Sequence, residues 1–180
     1  GAFIFAQCIQ QIRKQHPSCK VEVLIPDFQG DSSALATVMA AAPNTLNHNI
    51  ETVHRLFHRV RPKGDYNQSL ALLSQAKKID ASAVTKSGMM VGLGETWDEV
   101  ISTMKDLRSV DCALLTIGQY LRPSEKHIPL ARWYTPEEFD DLKRKGESLG
   151  FRHVASGPLV RSSYHADEQY AAATGTALAI

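Results

Sequence analysis

Near its end the chain reads LVRSSYHADEQ (159–169), which crowds Arg161, Ser162, Ser163, Tyr164, His165, Asp167 and Glu168 into one short stretch without helix or strand period. Hydroxyl, imidazole, guanidinium and carboxylate groups at this density can relay protons, bind anions or ligate a metal. The plain alternative is a set of exposed tail hydroxyls, since chain ends commonly fray. Similar groups recur upstream, each time after a short apolar run. The first run is followed by Pro26, Asp27, Gln29 and Asp31, and the second by Asn47, His48, Asn49 and Glu51. The third carries Lys86 and Ser87 within it and ends in Gly92, Gly94 and Glu95. The fourth ends in Gln119, Tyr120, Arg122, Pro123 and Ser124, and the fifth in Ser156, Gly157 and Pro158.

Each group also has a structural reading. Asn47, His48 and Asn49 could cap a following helix, and Asp31 could be only an N-cap. Gly92-Leu93-Gly94-Glu95 lacks the third glycine of a dinucleotide fingerprint. Its glycines let backbone amides approach a flat or phosphate-like ligand closely. Glu95 could then meet a sugar hydroxyl, or merely start a helix. Lys86 could form a Schiff base. An ion pair, or a contact to a substrate carboxylate, suits it better because nothing near it in sequence desolvates it.

The elements that must position these groups alternate. The spacing of Phe5, Ile9 and Ile12 predicts a helix over 3–15. VEVLI (21–25) and TLNHN (45–49) read as strands, as do AVTKSGMMV (83–91), CALLTIGQYL (112–121) and the start of FRHVASGPLV (151–160). Helices are expected through SSALATVMAAA (32–42), IETVHRLFHRV (50–60) and QSLALLSQAKKID (68–80), the last with Leu70, Leu73 and Ala76 on one face. Two more start at capping boxes, Thr96 with Glu99 and Thr135 with Glu138. Pro136 suits the first turn of the second, and Gly150 closes it. Five strand–helix alternations without a linker predict an α/β fold, a (βα) barrel or part of one, with parallel strands and outer helices. In that architecture chemistry gathers at the C-terminal ends of the strands, so the five polar clusters are expected to share one site.

Composition narrows the class. The 180 residues suit one domain, and 43% hydrophobic with 22% charged residues is ordinary globular material. A net charge of +1 points to neither a nucleic-acid binder nor a binder of anionic membranes, and no run is long enough to span a bilayer. Cys8, Cys19 and Cys112 lack metal-site spacing, and Cys8 and Cys112 are expected as small buried residues. Gly1 opens what reads as the inside of a helix, so upstream sequence is expected, and no signal pattern is present from which to read a compartment.

The strings VEVLIPDFQGD, NHNIETV, TKSGMMVGLGET, LLTIGQYLRPS, YTPEEFDDLK and GFRHVASGPLVRSSYHADEQ together, in this order over residues 1–170, resemble lipoyl synthase. The resemblance implies a radical S-adenosylmethionine enzyme with a partial (βα) barrel that inserts two sulfur atoms into a protein-bound octanoyl chain. It implies two [4Fe–4S] clusters and S-adenosylmethionine as cofactors. The implied partners are octanoylated lipoyl carriers, either the glycine cleavage H protein or E2 domains of 2-oxoacid dehydrogenases. The implied location is the cytoplasm in a bacterium and the mitochondrion or plastid in a eukaryote.

By residue, the resemblance places Gly92, Gly94 and Glu95 on the adenine of S-adenosylmethionine and sets Asn47, Asn49, Lys86 and Ser87 along the same cofactor. Gln119 and Arg122 would face the cofactor or the substrate chain. Ser163 would ligate an iron of the sulfur-donating cluster, with Arg161 beside it; iron–sulfur clusters otherwise take thiolates. The family's CxxxCxxC and CxxxxCxxxxxC motifs do not occur in these residues. The chain is therefore expected to be the C-terminal part of such an enzyme, truncated at the N-terminus and inert by itself. Residues 171–180 are expected to form a loose tail. A barrel opened in this way should bare apolar surface on its first helix and first strand and be marginally stable. Two other readings remain open: a non-catalytic (βα) remnant that binds an adenine nucleoside or a carrier protein, and a Schiff-base lyase using Lys86.

Overall fold

The computed structural model describes residues 1–175. Its elements run in chain order as α1 (Ala2–Gln15), β1 (Glu22–Leu24), α2 (Ser32–Ala40), β2 (Thr45–Asn47), α3 (His54–Val60) and α4 (Tyr66–Ile79). They continue as β3 (Val84–Val91), α5 (Trp97–Ser109), β4 (Leu114–Gln119), α6 (Pro136–Ser148), β5 (His153–Gly157) and α7 (Ala166–Thr174). All five strands pair in parallel in the order β1-β2-β3-β4-β5. A doubly wound sheet would reverse its strand order midway. Consecutive order with crossover helices instead curls the sheet one way and stacks the helices on one side, which makes part of a (βα) barrel.

Alternation along the strands sorts side chains between the two faces. Val23, Leu46, Met89, Val91, Leu115, Ile117 and Val154 belong to the main core with the helices. From the helices come Leu35, Val38, Leu73, Met104, Leu107, Phe139 and Leu142, all at most 1% exposed. The other face is concave. Its lower end is filled by a smaller cluster of Val84, Ala113, Leu114 and Ala173, with Tyr170 against it. Thus α7 closes the bottom of the half-barrel.

Local signals act where the sequence places them. Asp31 caps α2 by accepting from Ser33 and Ala34 amides, and both capping boxes close reciprocally. Gly150, at φ +93°, leads the chain out of α6.

Four expectations need correction. The helix expected from residue 50 begins at His54. Residues 50–52 instead continue the strand hook: Ser87 Oγ accepts from the Ile50 amide, and Glu51 exchanges backbone hydrogen bonds with Gly88 and Met90. Backbone bonded to β3 cannot also close helical turns. Second, α4 begins at Tyr66 because Asp65 caps it, accepting from the Gln68 amide. Third, Cys8 is exposed, and only Cys112 is a buried thiol, pushed up to about 12 by burial. Fourth, the 159–169 stretch is only partly irregular, because α7 starts at Ala166 and runs through Thr174, into the expected tail; residues 176–180 of that tail lie outside the described residues. Phe3, Ile4 and Ile12 on α1 and Leu24 on β1 are exposed, as expected of the first helix and strand.

Candidate active site

A cavity of about 230 Å³ opens at the C-terminal ends of β2 to β5. Asn49 and Glu51 border it beyond β2, Gly88 and Met90 from β3, Thr116 and Gly118 from β4, and Arg161 and Ser162 beyond β5. Of the five expected polar clusters, the second contributes Asn49 and Glu51, the fourth Gln119, and the stretch after the fifth Arg161 and Ser162, while none of the third cluster's residues lines the cavity. The first does not contribute either, because Asp27, Gln29 and Asp31 line a separate hollow against the start of α1.

Glycines shape this cavity. A Cβ on Gly88 would stand 2.7 Å from Thr116 Oγ1 and 2.8 Å from Asn49 Oδ1. Gly88 thereby keeps open the space into which both polar atoms face. Asn49 Oδ1 is buried and has no hydrogen-bond partner. A buried acceptor left unpaired costs about 1–3 kcal/mol, which a ligand donor would recover. Beside it Glu51 holds φ +67°, a left-handed conformation unfavourable for a residue with a Cβ. Burial pushes its carboxyl above the usual range, while Arg61 and a hydrogen bond from Asn49 pull the other way. A carboxylate and an amide at one cavity wall can hydrogen-bond adjacent hydroxyls, such as those of a ribose.

The glycine turn lies beside the cavity and is held from within. Glu95, 7% exposed, turns back so that Oε1 accepts the Gly92 amide at 2.6 Å and Oε2 the Leu93 amide at 2.9 Å. Both amides expected to approach a ligand are occupied by their own chain. Gly92 is a glycine because a Cβ would run into Gln119 Nε2 and stand 2.7 Å from Arg132 O. Gln119 Nε2 donates to the carbonyls of Val91 and Arg132, and Oε1 accepts the Tyr134 amide at 3.0 Å. Gln119 thus stitches the loop 120–134 onto the turn, while part of it still borders the cavity. Gly94, at φ +102°, meets only Ala131 Cβ, at 3.6 Å.

The remaining expected site residues separate by face. Lys86 is fully buried on the concave side and pairs with Glu22 from β1, its Nζ 3.0 and 3.1 Å from the two carboxylate oxygens. Desolvation pulls the ammonium below the ordinary lysine value and Glu22 opposes it. Asn47 donates to the same Glu22 oxygen at 2.9 Å. So Lys86 is desolvated after all, by strands remote in sequence, and is occupied as an ion pair. Ser87 lies on the opposite side and serves the Ile50 amide. His48 sits behind the sheet between Ile25 O and Ser69 Oγ. Arg122 is exposed and spans its own loop, donating to Glu125 and His127 carbonyls.

The two implied cofactor types meet different surroundings. The open glycine floor and the unpaired Asn49 oxygen fit a polar organic ligand such as a nucleoside. A metal cluster finds no such fit: among the described residues no group of three or more His, Cys, Asp or Glu could hold a metal ion. Ser163 is exposed and offers a single oxygen, and the three cysteines are scattered. Glu51 carries no individual role in the sequence reading, and Gly88, Thr116 and Gly118 are not among its site residues. The first was visible as a polar group after β2. The others carry no spacing signal, because their roles come from pairing with neighbouring strands.

A parallel half-barrel with its cavity at the strand ends defines a class, and the sequence matches it: residues 4–107 match the Radical SAM superfamily, to which the chain belongs. That membership implies an iron–sulfur cluster and S-adenosylmethionine. Relatives of high identity are lipoyl synthases. The chain is 57% identical to the lipoyl synthase of Rubrobacter xylanophilus over 94% of its own length and 53% of the relative's. It is also 57% identical to that of Caldanaerobacter subterraneus, over 97% and 61%, and to that of Koribacter versatilis, over 94% and 56%. The chain therefore spans little more than half the length of these curated relatives. Among solved structures, a methylornithine synthase shares the fold with a TM-score of 0.57 at 16% identity, covering 72% of this chain and 36% of that one. No helix among the described residues is long and apolar enough to cross a membrane.

Proposed function

We propose that this chain forms the cofactor- and substrate-facing half of a lipoyl synthase. The observation that carries the reading is 57% identity to lipoyl synthases over 94% of the chain, at a site with an open, glycine-floored cavity. In this reading the cavity at Gly88, Asn49 and Glu51 would hold S-adenosylmethionine, which, on taking one electron from an iron–sulfur cluster of the complete enzyme, would supply the radical that takes hydrogen from the octanoyl chain. Asn49 Oδ1 accepts a donor of the bound nucleoside, and Glu51 takes its ribose hydroxyls. The turn Gly92-Leu93-Gly94 shapes the wall beside the adenine, with Glu95 and Gln119 keeping it rigid.

Ser163, with Arg161 beside it, would supply one oxygen ligand to an iron of the sulfur-donating cluster, whose other ligands the described residues do not provide. Arg122, at the rim, meets the carrier or the substrate chain. Asn47, Lys86 and Ser87 support this cofactor surface from the strands below and behind it. The complete enzyme uses two [4Fe–4S] clusters. Its substrates are octanoylated carriers, the glycine cleavage H protein or E2 domains of 2-oxoacid dehydrogenases. In a bacterium that work is cytoplasmic, and in a eukaryote mitochondrial or plastid. The described residues do not assemble a cluster site, so their part is to bind, orient and shield the reactants.

The test has two arms. The complete enzyme, anaerobically reconstituted and given S-adenosylmethionine, a reductant and an octanoylated H protein, should raise the carrier mass by two sulfur atoms, whereas the present chain alone should not. Separately, S-adenosylmethionine should bind the chain and lose at least about tenfold in affinity in Gly88→Leu, whose side chain fills the cavity. Equal binding by both proteins would displace the cofactor from this cavity.

A further inference from the structure

Lys86 has three ammonium protons and three acceptors around it. Two are the oxygens of Glu22 on β1. The third is the backbone carbonyl of Ser162, which lies 76 residues further along the chain. Glu22 is shared with Asn47 on β2, so one ammonium ties β1, β2 and β3 to the segment that leaves β5. That segment has little else to hold it. Its Val160 amide donates to Gly157 O at the end of β5 and its Tyr164 amide to Arg161 O, each closing only a local turn. Arg161 donates to the carbonyl of its own neighbour, Val160. Beyond it, Tyr164 O accepts from Gln169 on α7. Among the described residues, the hydrogen bond that ties 158–165 to a strand other than β5, from which it leaves, is therefore the one from Lys86. It acts beside Gly118, where a Cβ would stand 2.5 Å from Val160 O, so the segment lies directly on β4.

We infer that Lys86 is a positioning residue that latches residues 158–165 onto the concave face, fixing Arg161 and Ser162 at the cavity and setting where Ser163 points. A fully buried ammonium is costly to keep in a strand, and an apolar residue there would pack without a counter-ion. What the lysine adds is a charged donor long enough to reach past the strand edge to a carbonyl that no neighbouring strand can pair. Glu22 holds that donor in place by occupying its other two protons. The functional weight of this latch rests on the reading above, in which Arg161 borders the cofactor cavity.

Amide hydrogen exchange on the unmodified chain and on Lys86→Met tests it. The expected result is exchange at least about tenfold faster over 158–165, the change a single charged hydrogen bond carries, with 114–119 of β4 unchanged. A general loss of packing would speed both regions equally, and that outcome, or no change in either, overturns the latch. Should Lys86→Met fail to fold, the double variant Glu22→Gln/Lys86→Met removes the stranded carboxylate and is read in the same way. The unmodified chain gives a direct signature as well. Its Lys86 ammonium should show a slowly exchanging 15N signal with proton contacts to Ser162, and their absence overturns the inference. None of these readouts needs a cluster, a nucleoside or a carrier. A failed latch therefore leaves sulfur insertion standing, and absent sulfur insertion leaves the latch.

Discussion

Glu95 folds back on the turn that precedes it, its carboxylate accepting the Gly92 amide at 2.6 Å and the Leu93 amide at 2.9 Å. A carboxylate three residues past a glycine reads in sequence as a ligand for a sugar or as the start of a helix. In the fold it is the internal clamp of the turn. Buried charged hydrogen bonds of this kind are worth about 1.5–3 kcal/mol each and do not add fully. Glu95→Ala should therefore destabilise the protein by about 2–4 kcal/mol, and Glu95→Gln by less, because one amide oxygen remains to accept. Chemical denaturation of the two variants checks the order. Equal stability of Glu95→Ala and the parent would show the turn to be held by other means.

The two glycines of that turn should respond differently. Gly92→Ala meets Gln119 Nε2 and, at 2.7 Å, the Arg132 carbonyl, with φ +103° adding strain. Backbone oxygen cannot move aside as a flexible side chain can, so a loss of about 3 kcal/mol or more is expected. Gly94→Ala has ordinary contact only, 3.6 Å to Ala131 Cβ, and should lose about 1–2 kcal/mol from its φ alone. Melting temperatures for both variants decide whether close approach or backbone conformation dominates at Gly92.

What could be read from sequence follows from how local each cause is. Thr96 with Glu99 and Thr135 with Glu138 lie three residues apart, and both boxes close as their spacing requires. The apolar runs fixed the strands for the same reason, and consecutive order followed from their alternation with helices. Lys86 was harder. Glu22 and Ser162, its partners, lie 64 and 76 residues away, so no window around Lys86 contains what desolvates it. Gly88 was likewise silent, because its neighbours Thr116 and Asn49 come from other strands. The helix expected from Ile50 failed because β3 claims the backbone of Glu51, a competition that helical periodicity does not express.

Glu51 gives a pH-dependent prediction. Burial, opposed by Arg61 and Asn49, raises its carboxyl above the ordinary value, so the folded protein holds this proton more tightly than the unfolded chain. The contribution is fully present below the unfolded value, near pH 4.3, and is lost as pH rises through the folded one. Glu51→Gln removes the charge that burial disfavours. It should melt about 2 °C higher than the parent at pH 7, with the gap closing towards pH 4. The same variant should bind S-adenosylmethionine more weakly, which separates a stability cost from a binding role. A melting difference that is constant with pH would mean that Glu51 is not titrating in the folded protein.

His48 works in the opposite direction. Its Nδ1 lies 2.9 Å from the Ile25 carbonyl, which can only accept, so Nδ1 carries the proton. Nε2, 3.1 Å from Ser69 Oγ, then accepts in the neutral ring. The serine hydroxyl has a competing acceptor in Asp65 O at 3.0 Å, and one proton cannot serve both. Desolvation lowers the pKa of the ring, opposed by the Ile25 carbonyl, with Arg61 lowering it further. The unfolded chain therefore gains a proton first as pH falls below about 6.5, and stability declines from there until the folded ring is itself protonated. His153 is lowered too, again chiefly by burial, and adds to the same slope. His48→Gln should lose about 1–2 kcal/mol at pH 7.5, because the ties to Ile25 and Ser69 are disturbed, yet show a shallower decline between pH 6.5 and 5. Imidazole 15N shifts in the parent should report the Nδ1–H form at pH 7. A ring protonated at Nε2 instead, or an unchanged pH slope in the variant, would remove His48 from this account.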